Sequence, residues 1–265
     1  MKTRNSILLS IAALFVFAAQ AQAAILLSED FSSYTADDDL PSSGPFTPVE
    51  DPIAPVVRDE STSTVFGDPN QYGEFSDADT GEDIAVASAE FSDTSNAVTT
   101  FQFDFYEPST GGSEYISFGY ALGDDLNSGG SRVRARIESG AITGGQFTPA
   151  GTNNSFSLDT VYTLYMIFND TSSAVAYDGG TLATNTADIW LQTAGSGPVY
   201  AGSAAAINSQ ESNGYAASFR SFNNQRQDVY IDNITLFEGA AAVPEPSTAL
   251  LLAFGGSLLI LRRRR

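Results

Sequence analysis

Apolar and polar residues alternate with a period of two through most of this chain. Phe101, Phe103 and Phe105 are separated by Gln102 and Asp104, which in an extended strand puts three rings on one face and two polar groups on the other. The same alternation, or a short apolar run, recurs at residues 84–91, 115–122, 132–137, 161–168, 174–177, 188–192, 215–222 and 229–237. Between these runs lie turn-forming clusters such as Gly111-Gly112, Gly129-Gly130, Gly144-Gly145 and Gly179-Gly180, where the chain can reverse without steric cost. No stretch between residues 24 and 243 keeps a helical period for three turns. Many short strands with regular punctuation predict an all-β fold, an antiparallel β-sandwich or barrel.

Two segments narrow that class. Residues 25–34, ILLSEDFSSY, read as a strand followed by a turn, and residues 228–236, DVYIDNITL, read as a closing strand. The pair resembles the opening and closing strands of concanavalin A-like jelly rolls of the LamG and lectin type. That resemblance implies that the first and last strands lie side by side and that one sandwich spans residues 24–238. The runs Tyr162 to Phe168 and Asp188 to Leu191 fall where such folds place central strands.

The two ends read differently from the body. Lys2 and Arg4 precede an apolar run at 7–19, and Ala21-Gln22-Ala23 follows as a small-residue box. This is the layout of a secretory signal peptide over residues 1–23, with Ala21 and Ala23 marking the cleavage site. At the other end, Pro244-Glu245-Pro246 leads into the apolar residues 247–261, and Arg262, Arg263, Arg264 and Arg265 follow. The prolines stop any helix from running back into the domain. Fifteen residues make a helix only about 22 Å long at ~1.5 Å each. A bilayer core is ~30 Å thick, so the span is short; snorkelling arginines and local thinning accommodate the difference. The arginines also fit retention on the cytoplasmic side.

The order of Pro-Glu-Pro, short hydrophobic helix and arginine cluster resembles the PEP-CTERM sorting signal of Gram-negative bacteria. The resemblance implies an exosortase-type membrane enzyme as processing partner, generally in species that make extracellular polysaccharide. It further implies a path of export, an inner-membrane intermediate held by the 247–261 helix, and delivery to the cell surface, outer membrane or extracellular matrix. Residues 239–246 then act as a linker.

Charge sharpens the reading of the body. Of the 12 basic residues six lie between residues 24 and 243, all arginine: Arg58, Arg132, Arg134, Arg136, Arg220 and Arg226. Of the 32 acidic residues only Glu245 lies outside, leaving a net charge of −25 on the body. So acidic a surface disfavours nucleic acid and anionic lipid as partners. The chain has no cysteine and no histidine, which excludes a disulfide framework, Ser-His-Asp and Cys-His catalysis, and ordinary zinc sites. Carboxylate chemistry and oxygen-ligated metals remain.

Three features are candidates for chemistry. Strict alternation places Arg132, Arg134 and Arg136 in one row, as a ladder for an anionic glycan or as partners of neighbouring carboxylates. Trp190 and the 11 tyrosines offer rings for sugar stacking or for packing. Asp77, Asp79 and Asp83 surround Gly81; such a loop either holds a hard cation, with calcium as the possible cofactor, or is a solvated acidic turn. No strand carries the Glu-x-Asp-x-x-Glu run of jelly-roll glycosidases, and Glu114 and Glu138 lack spaced partners. The expectation is therefore a non-catalytic glycan-binding or structural protein, not an enzyme. The alternative is a secreted carbohydrate-active enzyme on the same fold.

Overall fold

A computed structural model describes residues 24–48, 54–59, 65–67, 71–76, 85–88, 91–92, 98–110, 115–122, 131–177, 179–207, 214–221 and 228–240. Ala21, Ala23, Asp77, Asp79, Asp83, Pro244 to Pro246, the 247–261 stretch and Arg262 to Arg265 lie outside them. Among the described residues there are strands and no helices, and hence no helix long and apolar enough to cross a membrane.

The strands run β1 (Ile25–Glu29), β2 (Phe46–Pro48), β3 (Val56–Asp59), β4 (Gln71–Ser76), β5 (Ala85–Ser88) and β6 (Phe91–Ser92). Next come β7 (Val98–Tyr106), β8 (Tyr115–Leu122), β9 (Ser131–Glu138), β10 (Ala141–Thr143), β11 (Phe147–Pro149) and β12 (Val161–Asn169). The last six are β13 (Val175–Tyr177), β14 (Gly180–Leu182), β15 (Thr186–Thr193), β16 (Val199–Ala205), β17 (Gly214–Arg220) and β18 (Asp228–Glu238). Every pairing is antiparallel. A nine-stranded sheet has the order β11-β16-β15-β12-β7-β18-β4-β3, with β1 also on β18. A seven-stranded sheet has the order β10-β9-β8-β17-β5-β2, with β6 beside β17. The hairpin β13-β14 stands apart.

The two sheets share one core. Phe101, Phe103 and Phe105 of β7 are fully buried, as the alternation predicts. Their rings meet the opposite sheet at Phe103–Phe118 (centroids 5.4 Å), Phe103–Phe219 (4.9 Å, near-perpendicular) and Phe101–Tyr120 (6.0 Å). Edge-to-face rings add to the hydrophobic gain of burial. The antiparallel sandwich expected from the period-two pattern is thus the fold that forms. The first and last strands do pair, Ile25 with Phe237 through Glu29 with Ile234. The turn after β1 is closed by Glu29, whose carboxylate accepts Phe31 N–H (2.7 Å) and Tyr34 O–H (2.6 Å).

Candidate functional site

The outer face of the seven-stranded sheet follows from its register. In β8, Ile116, Phe118 and Tyr120 enter the core, so Tyr115, Ser117, Gly119 and Ala121 point away from it. Cross-strand pairing then builds two rows. Arg136 of β9 is opposite Ser117, which is opposite Arg220 of β17. Arg134 is opposite Gly119, which is opposite Ser218, itself opposite Ala87. The floor is made of small residues: Ser117, Ala121, Ala216, Ser218 and Ala87 are buried although they face away from the core. The Ser117 and Ser218 hydroxyls find no hydrogen-bond partner among the described residues. Gly119 is required here, because a Cβ would overlap the Val133 carbonyl oxygen and the backbone has φ +153°.

Charge on this face is basic. The Arg136 guanidinium sits 3.7 Å from the centroid of the Tyr115 ring, a cation–π contact. Burial, and then the neighbouring charge of Arg136, pull the pKa of Arg134 downward. Three of the five described arginines thus occupy one face of a strongly acidic body. Glu138 stands at its margin and accepts the Thr143 hydroxyl.

One sequence expectation is corrected. Arg132 does not join Arg134 and Arg136 in a row. Tyr120 pairs with Val133 but Ala121 pairs with Ser131, so Arg132 is the extra residue of a β-bulge, which breaks the alternation. It is 2% exposed and lies over the Phe168 ring at 5.6 Å. Its Nη2 is held by Asp170 and by Asn185 Oδ1 (2.7 Å). This is a buried structural ion pair at the sandwich margin.

Trp190 lies on the other sheet. It points away from the core on β15, beside Asp188, and packs with Tyr177 against Ile167 and Leu182 under the β13-β14 hairpin. Its indole N–H donates to Tyr177 O–H (3.1 Å), and Tyr177 O–H donates to Asp188 (2.7 Å). The candidate ligand residues therefore do not converge. Elsewhere on this outer face Tyr106 stacks on Tyr230 (5.6 Å, 16°), and Tyr230 meets Tyr72 (5.1 Å). Arg58 is paired with Glu74 and with Asp37 (2.9 Å).

Two carboxylates here are shifted. Burial raises the pKa of Asp188, against hydrogen bonds from Tyr177 and Tyr200. Burial likewise raises that of Asp104, against bonds from Thr163 (2.5 Å) and Asn233 (3.0 Å). Among the described residues no group of three or more acidic side chains is placed to hold a metal ion.

Sequence reasoning missed Arg220, Ser117 and Ser218. Alternation placed each on a strand, but only the pairing of β17 with β8 and β9 aligns them.

Comparison with known proteins adds the tail and the fold. Residues 242–265 match the PEP-CTERM protein-sorting motif, which marks an exported, surface-directed chain and implies exosortase processing. No curated protein matches the sequence. The sandwich is similar to the catalytic domain of the glycoside hydrolase family 131 protein from Coprinopsis cinerea, with TM-score 0.53 and 13% identity over 83% of this chain and 97% of that one. A protein of unknown function from Shewanella oneidensis MR-1 gives 0.50 and 14%, over 83% and 91%. Lectin II from Ulex europaeus gives 0.48 and 10%, over 82% and 100%. The fold is a lectin-like jelly roll. Identities this low speak to fold alone.

Proposed function

We propose that the chain is a cell-surface or matrix protein whose sandwich binds extracellular polysaccharide without cleaving it. The binding surface in this reading is the outer face of the seven-stranded sheet, and the glycans it prefers carry carboxylate or sulfate groups. The observation that carries it is the row Arg136–Ser117–Arg220, with a buried hydroxyl between two guanidinium positions. Guanidinium forks match carboxylate and sulfate geometry. Arg134, Arg136 and Arg220 each stay partly exposed above the buried small-residue floor, and Tyr115 supplies a ring beside Arg136. In a body of net charge −25, keeping three arginines together on one face supports an anionic ligand.

A second reading, a carbohydrate-active enzyme, has one observation in its favour. Asp104 and Asp232 are directly paired across β7 and β18, and a raised-pKa acid beside another carboxylate is a glycosidase arrangement. Against it, Asp232 is fully buried, so substrate has no approach to it.

Titration calorimetry with a polyuronate and with a neutral glucan, alongside a reducing-end assay, separates the two. The expected result is polyuronate binding that weakens with salt, about tenfold weaker in Arg136→Gln, since a charged hydrogen bond contributes roughly 1.5–3 kcal/mol. Equal affinity for the neutral glucan overturns the anionic preference. Release of reducing ends that is lost in Asp104→Asn establishes the enzyme instead.

A further inference from the structure

The start of the sandwich and its exit lie at one corner. Glu238 N–H donates to the Ala24 carbonyl (2.8 Å), and Gly239 N–H donates to that of Val98 (2.6 Å). The Thr100 hydroxyl fixes the Gly239 carbonyl (2.9 Å), and Ala240 packs against the Ile167–Leu182 cluster. The predicted signal cleavage point directly precedes Ala24. The Pro-Glu-Pro motif begins four residues after Ala240. Both processing points are therefore attached to a single rigid corner.

That corner is also apolar. Ile25 is 60% exposed and Leu26 39% exposed, two of the four exposed large hydrophobics among the described residues. The irregularity between Ile25 and Leu27 in the β1–β18 register releases Leu26 from pairing and turns it outward. No charged residue occurs from Ala24 to Ser28, in a body otherwise crowded with carboxylates. Only Ala241 to Pro246 separate the corner from the apolar 247–261 stretch. Six residues span at most about 20 Å even when fully extended.

We infer that, while the tail is in the membrane, the Ala24–Leu26 corner rests on the outer surface of the bilayer. Ile25 and Leu26 enter the headgroup layer, and the far end of the sandwich points away. The inference rests on the sorting reading of the tail. An apolar pair of this size reaches the headgroup and upper acyl boundary, ~5–10 Å deep. Glu238, exposed at the same corner, keeps the contact at headgroup level. The short tether supplies a high effective concentration, so a small patch suffices although the acidic body is repelled by anionic lipid. The corner is in this way a docking surface for lipid that presents the Pro-Glu-Pro segment at the depth where a membrane-embedded enzyme cuts.

The cysteine-free chain allows a direct test. Single variants Leu26→Cys and Leu158→Cys receive a nitroxide label. Leu158 is 37% exposed and lies beside the Asp159–Tyr106 contact, at the opposite end of β7. The exported chain with its tail is reconstituted in phosphatidylethanolamine/phosphatidylglycerol vesicles. Flotation first establishes that the tail inserts. The expected result is a label at 26 that collides several-fold more with lipid-dissolved oxygen, relative to an aqueous relaxant, than the label at 158. A flexible Gly/Ser insert of about ten residues after Ala240, adding roughly 17 Å of reach, should reduce that contrast. Floating vesicles with equal labels overturn the inference and leave the sorting reading intact. Protection of position 26 only when the processing enzyme is present replaces lipid by protein and also overturns it. A chain that does not float removes the sorting reading and this inference with it.

Discussion

The outer faces of the two sheets are built from the same alternating strands yet carry opposite chemistry. On the nine-stranded sheet, three charged groups are held by named partners: Arg58 by Glu74 and Asp37, Asp188 by Tyr177 and Tyr200, Asp104 by Thr163 and Asn233. Part of that face lies under the β13-β14 hairpin, which buries Ile167 and covers part of Trp190. On the seven-stranded sheet, arginines border small residues, and two buried hydroxyls have no described partner. Buried polar groups are normally hydrogen-bonded, and the two unsatisfied hydroxyls among arginines are why we propose the seven-stranded face as the ligand-binding one.

The largest effect should separate the two kinds of arginine. Arg132→Ala leaves Asp170 buried without its cation and is expected to cost about 3–5 kcal/mol of stability, while Arg136→Gln, half-buried and losing one cation–π contact with Tyr115, should cost about 1 kcal/mol or less. Urea unfolding of both variants checks this. Similar losses for the two would erase the distinction between structural and ligand-facing arginines. Next in size, Gly119→Ala should cost about 1–3 kcal/mol through the forced backbone conformation and the overlap with Val133. It should also distort the Ser117–Ser218 floor, so glycan binding falls more than in a variant of the nine-stranded face with the same melting temperature.

The smallest effect is in pH. Burial raises the pKa values of Asp104 and Asp188 above 3.8 in the folded state, so the folded chain holds these protons more tightly than the unfolded chain. Their contribution therefore favours folding at low pH and declines as pH rises from 3.8 through the folded values. The double variant Asp104→Asn, Asp188→Asn should gain stability relative to the parent as pH rises from 4 to 7, by calorimetric melting. Asp30 and Asp159 carry lowered values and act in the opposite sense. They remain in both proteins, so the comparison cancels them. A parent and variant with parallel pH profiles would show that burial of these two acids does not matter.

Much of the fold was legible in the alternation, because a half-buried strand must repeat every two residues. The runs around Phe103, Phe118, Leu164 and Ile231 each form a strand near the expected limits. Short strands such as β2, β10, β11 and β14 were not legible: three residues carry too little pattern, and pairing with a neighbour decides them. The run 84–91 yields two pieces, β5 and β6, that pair with different parts of β17. The candidate site was legible only in part. Arg134 and Arg136 were found from spacing, whereas Arg132 was misplaced because a bulge adds one residue and leaves no mark in composition.

The sequence alone determined the class of fold, the absence of histidine and cysteine chemistry, the acidity of the body and the sorting tail. Each of these depends on residue identity or short-range order along the chain. Tertiary structure decided which arginines share a face, that Ser117 stands between two of them, that Trp190 packs half-buried under a hairpin, and that Ala24 meets Glu238. These depend on register between strands far apart in the chain. A one-residue shift sends each side chain to the other side of the sheet.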